Sequence, residues 1–124
     1  MAGLTQATQQ AVLDSATLFP TSGATDHIAY SVNGTSEAAI FARTPVGATG
    51  WAAATAATPS VKANNALLTS ATSTGSGTVT HFAIYSAVTA GTQKTDWQAL
   101  GTSRAVVTGD TLQWAIGALQ VTLD

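Results

Sequence analysis

The end of the chain carries an alternation of apolar and polar residues that restricts it to β-structure. Large apolar residues occupy every second position in two consecutive runs, which are out of phase with each other. The runs are Leu112, Trp114 and Ile116, then Leu119, Val121 and Leu123. A period of two is typical of a strand that buries one face. A turn at Gly117-Ala118 would join the runs as a hairpin with all six side chains on one face. A β-bulge at Gly117 within one bent strand would explain the same change of phase, but glycine suits the first position of a type II′ turn, so we prefer the hairpin.

Short β-like runs separated by turn residues begin at Asp26. His27 to Val32 and Glu37 to Arg43 flank Asn33-Gly34-Thr35-Ser36, where Asn-Gly readily supplies the positive φ that a hairpin loop requires. Further strands are predicted at Ser60 to Thr69, Val79 to Ser86, Trp97 to Leu100 and Arg104 to Val107, with a loop at Ser70 to Gly77 and a turn at Thr108-Gly109-Asp110. This spacing predicts an all-β fold, an antiparallel β-sandwich or a jelly-roll-like barrel.

Val79 to Ser86 differs from the other predicted strands because both of its faces carry apolar bulk. Phe82 and Ile84 lie on one face, and His81, Ala83 and Tyr85 lie on the other. We expect this strand to lie centrally between two layers.

The N-terminal segment follows a helical period instead. Leu4 to Thr17 contains no glycine or proline, and we expect the helix to end at Phe19-Pro20. Its thin apolar stripe requires packing against another surface, so residues 1–20 are predicted as a helix or arm and residues 21–124 as a single β domain. Partner contacts are expected at Leu4, Ala7, Ala11, Val12, Leu13, Leu18 and Phe19.

The charge content favours assembly and argues against nucleic-acid binding. Charged residues make up 8% of the chain and the net charge is -2, against about 25% charged residues in ordinary soluble domains. Little self-repulsion opposes association, so we expect a homo-oligomer. The four basic residues are scattered and give no footprint for a phosphate backbone. They are Arg43, Lys62, Lys94 and Arg104.

The cellular context is constrained only loosely. The chain contains no cysteine, which excludes disulfides and thiolate metal sites. It has no apolar run of the roughly 20 residues needed to span a bilayer, and its start does not resemble a signal peptide. We expect synthesis in the cytoplasm and no membrane partner.

No catalytic arrangement is indicated. Asp26-His27 with Ser22, or His81 with Asp96 or Asp110, would nominally supply a nucleophile or a base, but no G-x-S-x-G motif occurs. We expect no enzymatic activity and no cofactor. The histidine and acid spacing does not predict a metal site within one chain, although a symmetry axis can assemble one from several chains.

The three tryptophans are assigned by their surroundings. Trp114 is predicted to lie in the core because its strand alternates cleanly. Trp51 lies in Thr44 to Pro59, a segment rich in small residues that is predicted as either an exposed loop or an irregular edge strand. A loop would expose Trp51, more in keeping with a subunit contact than with a sugar-stacking platform. Trp97 suits either environment.

The C-terminal part resembles a family of short structural proteins of tailed phages, described as tail fibre, head decoration or minor capsid proteins. The resemblance depends on three segments, THFAIYSA, WQAL-x-TSRAV and TGDTLQWAIGALQVTLD. It covers Lys62 to Asp124, and the segment AGLTQATQQAVLD near the start shows a weaker similarity. The central section differs from the family pattern, because His27 to Val32 and Ala38 to Arg43 match it only loosely.

This resemblance implies a non-enzymatic virion protein. The preferred expectation is a trimeric decoration protein on the capsid surface that binds the major capsid protein and its sister subunits. The alternative is a tail fibre or receptor-binding module that contacts a host-surface receptor. Decoration is preferred because the chain shows no shaft, repeat or coiled-coil stem, and because weak shell contacts gain from avidity.

Overall fold

A computed structural model describes residues 4–15, 26–47, 51–56 and 60–123. These residues contain one helix, α1 (Gln6–Leu13), and eight strands. The strands are β1 (His27–Ser31), β2 (Thr44–Pro45), β3 (Ser60–Ala63), β4 (Leu68–Thr69), β5 (Gly77–Tyr85), β6 (Gln98–Val106), β7 (Gln113–Trp114) and β8 (Gln120–Leu123). The prediction of an all-β fold with a short N-terminal helix is confirmed, whereas its closure as a sandwich or a barrel stays a prediction.

The chain forms two compact units. Unit 1 comprises Met1–Ala24, Val46–Leu67 and Trp114–Asp124, and unit 2 comprises Thr25–Pro45 and Leu68–Gln113. Helix α1 therefore belongs to the same unit as β3 and β8. The predicted boundary between an arm and a single β domain at residue 20 lies outside the described residues and stays a prediction.

Unit 2 is built on a four-stranded antiparallel sheet with the order β2-β1-β5-β6. Strand β5 lies between β1 and β6, as its apolar pattern predicts. Ile28 pairs with Ile84 and Tyr30 pairs with Phe82. Phe82, Ala83 and Ile84 are all buried although successive side chains point to opposite faces, so both faces of β5 are covered at this point.

The predicted hairpin around Asn33-Gly34 is partly wrong. Strand β1 does pair with a later strand, but that strand is β2, and residues 37–43 form no strand. The turn itself is present: the Oδ1 of Asn33 accepts hydrogen bonds from the backbone N–H groups of Thr35 and Ser36 at 2.9 and 3.0 Å. Gly34 has a φ of 76°. The Asn33 side chain therefore supports the predicted loop from Asn33 to Ser36, although the strand predicted to follow it is absent.

Strand β6 is longer than predicted and forms one edge of the sheet. It joins the two segments that the sequence indicates separately, Trp97 to Leu100 and Arg104 to Val107. Its pairing with β5 is interrupted: Val79 pairs with Arg104 and His81 with Ala99, so two steps along β5 match five along β6. The predicted turn follows, where the N–H of Asp110 donates to the carbonyl oxygen of Val107 at 3.0 Å.

In unit 1, β3 pairs antiparallel with β8, and Lys62 lies opposite Val121. Residues 51–55 lie along the other side of β3: Trp51 forms a bridge with Asn64, and the N–H of Thr55 donates to the carbonyl oxygen of Val61 at 2.9 Å. Ser60 to Thr69 is thus not one strand, because bends at residues 65–66 separate β3 from β4.

The predicted C-terminal hairpin is wrong, and so is the alternative of one bent strand. Strand β7 pairs with β4, and β8 pairs with β3. The predicted common face also fails, because Leu112, Trp114 and Leu119 are buried whereas Ile116 is 69% exposed. The change of phase at Gly117 is real, but it marks a turn between strands that have different partners.

Asn64 explains why the chain turns there. This fully buried residue donates from Nδ2 to the carbonyl oxygen of Ala115 at 2.9 Å and accepts at Oδ1 from the N–H of Leu119 at 2.9 Å. Its backbone carbonyl oxygen accepts from the N–H of Gly117 at 3.0 Å. A buried amide with its hydrogen bonds satisfied holds the turn against β3, so β8 continues along β3 instead of folding back on β7.

Candidate functional site

A cleft of about 430 Å³ lies in unit 2, between the loop at residues 37–43 and the loop that follows β5. Its walls carry mainly methyl groups together with one pair of opposite charges. The lining residues are Glu37, Ala38, Ala39, Phe41, Ala42, Arg43, Val88, Thr89 and Ala90. The volume is in the range of pockets that hold small ligands or a partner's side chains.

Arg43 organises the cleft by a bidentate ion pair. Its Nε donates to the Oε2 of Glu37 at 2.9 Å, and its Nη2 donates to the Oε1 at 2.8 Å. The Arg43 side chain is only 8% exposed. Hydrogen bonding to Glu37 holds the pKa of Arg43 above its ordinary value although desolvation acts in the opposite direction. The guanidinium is therefore a permanent charge, neutralised locally by its partner.

The same guanidinium fastens the second loop to the first. Its Nη1 donates to the carbonyl oxygens of Ala87 and Ala90 at 3.0 and 2.7 Å. Ala90 has a φ of 54°, in the left-handed region that residues with a Cβ rarely adopt. Because the two carbonyl groups bind one rigid cation, they help to hold the backbone in this unfavourable conformation.

Two aromatic rings continue the cluster beside the cleft. The Cζ of Arg43 lies 3.8 Å from the centroid of the Tyr85 ring, a cation–π contact, and the rings of Tyr85 and Trp97 lie 6.2 Å apart. The Tyr85 hydroxyl donates to Gln93 at 3.1 Å. Tyr85 and Trp97 are half-buried, so each keeps part of its surface available.

This arrangement suits recognition and contains no evident machinery for proton transfer. Its charges cancel, its donors are largely used internally, and the rim residue Val88 is 56% exposed. The sequence does not reveal the cleft, because its two walls, residues 37–43 and 88–90, lie far apart in the chain. The sequence gives one indication of a special role for Arg43: it is an isolated basic residue and does not belong to a basic patch.

The residues predicted to contact partners lie in different environments. Leu4 is 40% exposed, Ala7 and Ala11 are exposed, and Val12 is half-buried, whereas Leu13 is 2% exposed and packs inside unit 1. Leu18 and Phe19 lie outside the described residues. The predicted helix from Leu4 to Thr17 is shorter, and its stripe of leucine and alanine is not the face that holds α1 in place.

Polar side chains hold α1 against the rest of unit 1. Gln9 is fully buried, and its Oε1 accepts from the N–H of Ser60 at 3.1 Å while its Nε2 donates to the carbonyl oxygen of Leu4 at 2.9 Å. Gln10 donates to the carbonyl oxygen of Ala54 at 3.2 Å. A pattern search for apolar residues at helical spacing does not find such contacts.

Asp14, just after the helix, completes this attachment. Its Oδ1 accepts from the Nζ of Lys62 and from the N–H of Ala54, each at 2.8 Å. Desolvation raises the pKa of Asp14, but the hydrogen bonds from Lys62 and Ala54 and the charge of Lys62 outweigh it, so the pKa is lowered overall. Helix α1 is thus anchored at both its middle and its end.

The exposed-loop alternative for Thr44 to Pro59 is wrong at Trp51, and the alternative of an irregular edge strand describes residues 51–55 better. Trp51 is 2% exposed, since residues 51–55 run beside β3 and do not form an open loop. Trp114, at 3% exposure, is in the core as predicted. Burial within the chain leaves Trp51 little surface for a subunit contact.

His81 has structural contacts to its neighbours on β5 and in the loop after β1. The Nδ1 of His81 lies 2.8 Å from the Oγ1 of Thr80, and the ring packs against Gly34, where an added Cβ would meet the Cε1 at 2.8 Å. In the part of the chain that the structure describes, no group of three or more histidine or acidic residues is placed to hold a metal ion. Within the same ranges, no helix has the length and apolar character needed to cross a membrane.

Comparison with known proteins places the chain among phage structural proteins. No curated protein matches it significantly. A family model matches residues 4–122, almost the whole chain, so the match includes the central section where the resemblance by motif is loose. The family match confirms the resemblance to phage structural proteins. It does not test the specific C-terminal motif, which stays a prediction. The chain belongs to the family described as podophage GP4 fiber I protein gp80.

Proposed function

We propose that this protein is a structural subunit of a phage tail fibre. The observation that carries the proposal is the family match over residues 4–122, because the family is described as a fibre protein. The absence of a visible shaft in the sequence favours capsid decoration. The family description favours the fibre alternative. Capsid decoration is the competing assignment, and the copy-number experiment described below distinguishes the two.

The proposed role is mechanical and adhesive, without catalysis. The Oγ1 of Thr80 lies 2.8 Å from the Nδ1 of His81, a hydroxyl beside an imidazole. The same hydroxyl donates to the carbonyl oxygen of Ser31 at 3.4 Å. A hydroxyl that donates to a backbone carbonyl oxygen is held in a structural role, whereas a catalytic nucleophile gives its proton to a base.

Two surfaces are proposed to contact other molecules. The first is the exposed side of α1, with Leu4, Ala7 and Ala11, which would face a neighbouring virion protein or a sister subunit. The second is the cleft beside Arg43, whose rigid walls suit a ligand or a protein side chain at the host surface. Leu13 and Trp51 are left out because both are buried.

The α1 surface requires a test by point substitution. Deleting residues 1–20 would also remove Gln9 and Leu13, which are buried in unit 1, and Asp14, which pairs with Lys62, so loss of binding would then be ambiguous. Ala7→Glu with Ala11→Glu adds charge to the exposed side without touching these residues. We expect reduced incorporation into virions, with Thr111→Glu combined with Ala118→Glu as the matched control, because both residues are exposed and lie outside α1. Normal incorporation of the double variant would remove α1 from the proposal.

The fibre assignment itself is tested by copy number. Quantitative mass spectrometry of purified virions, normalised to the major capsid protein, should give the low stoichiometry of a tail component. Separated tails should retain the protein while empty heads lack it. A stoichiometry that follows the number of capsomers, with retention on heads, would establish capsid decoration instead.

A further inference from the structure

We propose that β6 is a surface through which two copies of this chain associate, by antiparallel pairing of their β6 strands about a twofold axis. The four-stranded sheet ends at β6, and none of the described residues forms a strand on its outer side. An outer strand presents a row of N–H and C=O groups that serves as a template for another strand.

The two edges of the sheet are not equivalent. Strand β2 has two residues and ends in Pro45, which has no N–H to donate, so that edge is protected. Strand β6 has nine residues, no proline and a single charged residue, Arg104. Natural sheets protect long edges with lysine, proline or inward-pointing charge, and β6 has none of these along residues 98–103.

The middle of β6 is open on both faces. Residues 101–105 are all exposed, although successive side chains of a strand point to opposite sides. The interrupted pairing between Val79 and His81 lies opposite this segment, so part of it is not held in a regular ladder with β5. Apart from Arg104, the side chains of residues 101–105 are small, and small side chains allow another backbone to approach. A bulge can also turn an edge away from partners, and the experiment below separates the two roles.

A second copy of the same chain fits this edge. In antiparallel pairing about a twofold axis, a residue faces its own equivalent only at the axis. An axis at Thr102 places Gly101 opposite Ser103 and Leu100 opposite Arg104, so the two arginines do not face each other. The chain's net charge of -2 adds little repulsion between copies.

The same geometry predicts a pair instead of a ring. A ring that uses this sheet would need β6 of one copy to pair with β2 of the next, and Pro45 with the shortness of β2 disfavours such pairing. The trimer expected from the family resemblance would therefore need a different surface. The proposal does not depend on the location in the virion, since pairing is measured on the purified chain.

Sedimentation of the full chain gives the first test. We expect a dimer, which Thr102→Lys converts to a monomer because the added charge lies at the edge that must pair. Thr111→Lys makes the same chemical change at an exposed residue outside the strands and should leave the dimer intact. A wild-type monomer, or a dimer or trimer that Thr102→Lys leaves unchanged, would overturn the proposal. Circular dichroism should show the same fold in both variants.

Cysteine cross-linking then locates the axis. The chain has no cysteine, so Gly101→Cys, Thr102→Cys and Ser103→Cys each introduce a single thiol. Directly opposite residues in an antiparallel pair have Cα atoms about 4.5–5.5 Å apart, within disulfide reach. We expect rapid disulfide dimers to be confined to one or two of these positions and to be absent from Thr111→Cys. Equal cross-linking at all four positions would indicate random collision and overturn the pairing.

Discussion

The Nζ of Lys62 lies 2.8 Å from the Oδ1 of Asp14, and the Lys62 side chain is fully excluded from solvent while that of Asp14 is 37% exposed. A buried ammonium needs a partner, because removing a charge from water without compensation is costly. Asp14 supplies that partner from the end of α1. The ion pair therefore links the stability of β3 to the presence of the helix.

Removing the Asp14 carboxylate should destabilise the protein. We expect Asp14→Ala to lower the free energy of unfolding by about 2 kcal/mol, less than the roughly 3–5 kcal/mol for a fully buried pair, because water reaches the Asp14 side. Urea denaturation measures this change. In a Lys62→Met background the same substitution should cost much less, since no buried charge is left unpaired. Equal costs in both backgrounds would contradict the coupling.

Acid should weaken the same link. The folded-state pKa of Asp14 is lowered from its ordinary value of 3.8, so its contribution is fully present above that pH and is lost as the pH falls below it through the folded-state pKa. Denaturation curves measured across this range should show a smaller acid-dependent loss of stability in Asp14→Asn than in the wild type. Asp96→Asn, at an exposed position, is the matched control. Identical acid dependence in wild type and Asp14→Asn would contradict the assignment.

Alanine substitutions at three glycines should distinguish the cost of backbone strain from the cost of a steric contact. Gly34 has a φ of 76°, and a Cβ there would lie 2.8 Å from the Cε1 of His81, whereas Gly109 has a φ of 95° with nothing within 4 Å. Gly101 has neither constraint. We expect alanine to cost most at Gly34, about 1 kcal/mol at Gly109 from the left-handed conformation alone, and little at Gly101. Thermal unfolding gives the order, and equal effects at Gly34 and Gly109 would show that the His81 contact is unimportant.

The corrected C-terminal structure makes opposite predictions for two apolar residues. Trp114→Asp should cost about 4 kcal/mol or more and prevent folding, because it buries an unpaired charge. Ile116→Asp should change stability by less than about 0.5 kcal/mol, because Ile116 is 69% exposed. Soluble expression and chemical denaturation distinguish them. A hairpin with all six side chains on one face predicts that both variants fail.

Arg43 should be sensitive even to a conservative change. Arg43→Lys keeps the charge but loses the bidentate geometry and the link to Ala87 and Ala90. We expect faster hydrogen exchange in residues 86–92, with little change in β1. Arg104→Lys, at an exposed position of β6, controls for the chemical change. Unchanged exchange in the loop would show that Arg43 does not hold it.

The sequence predicts local structure better than pairing. The alternation around Phe82 indicates the central strand correctly, and Asn33-Gly34 and Thr108-Gly109-Asp110 mark true turns. Pairing depends on residues far apart in the chain, and the partner of β8 is decided by the buried amide of Asn64, which no period reveals. For the same reason the C-terminal hairpin is wrong although its turn is correctly located.

The candidate contact sites were harder to predict than the fold. The stripe of Leu4, Ala7 and Ala11 has helical spacing, but the helix packs through Gln9, Leu13 and Asp14, because satisfied polar groups can hold a short helix as well as an apolar face does. Trp51 among alanines suggests an exposed loop, whereas backbone pairing with β3 buries it. The cleft is lined by residues 37–43 and 88–90, which are far apart in the chain, and only the folded sheet brings these two segments close.

Electron microscopy of intact virions labelled with gold-conjugated antibodies against this protein tests the central claim most directly. The antibody should first be shown to bind the purified chain, and virions that lack the protein serve as the control. The fibre assignment predicts gold confined to the tail and its appendages. Gold distributed over the capsid surface would contradict that assignment and identify the protein as a component of the shell.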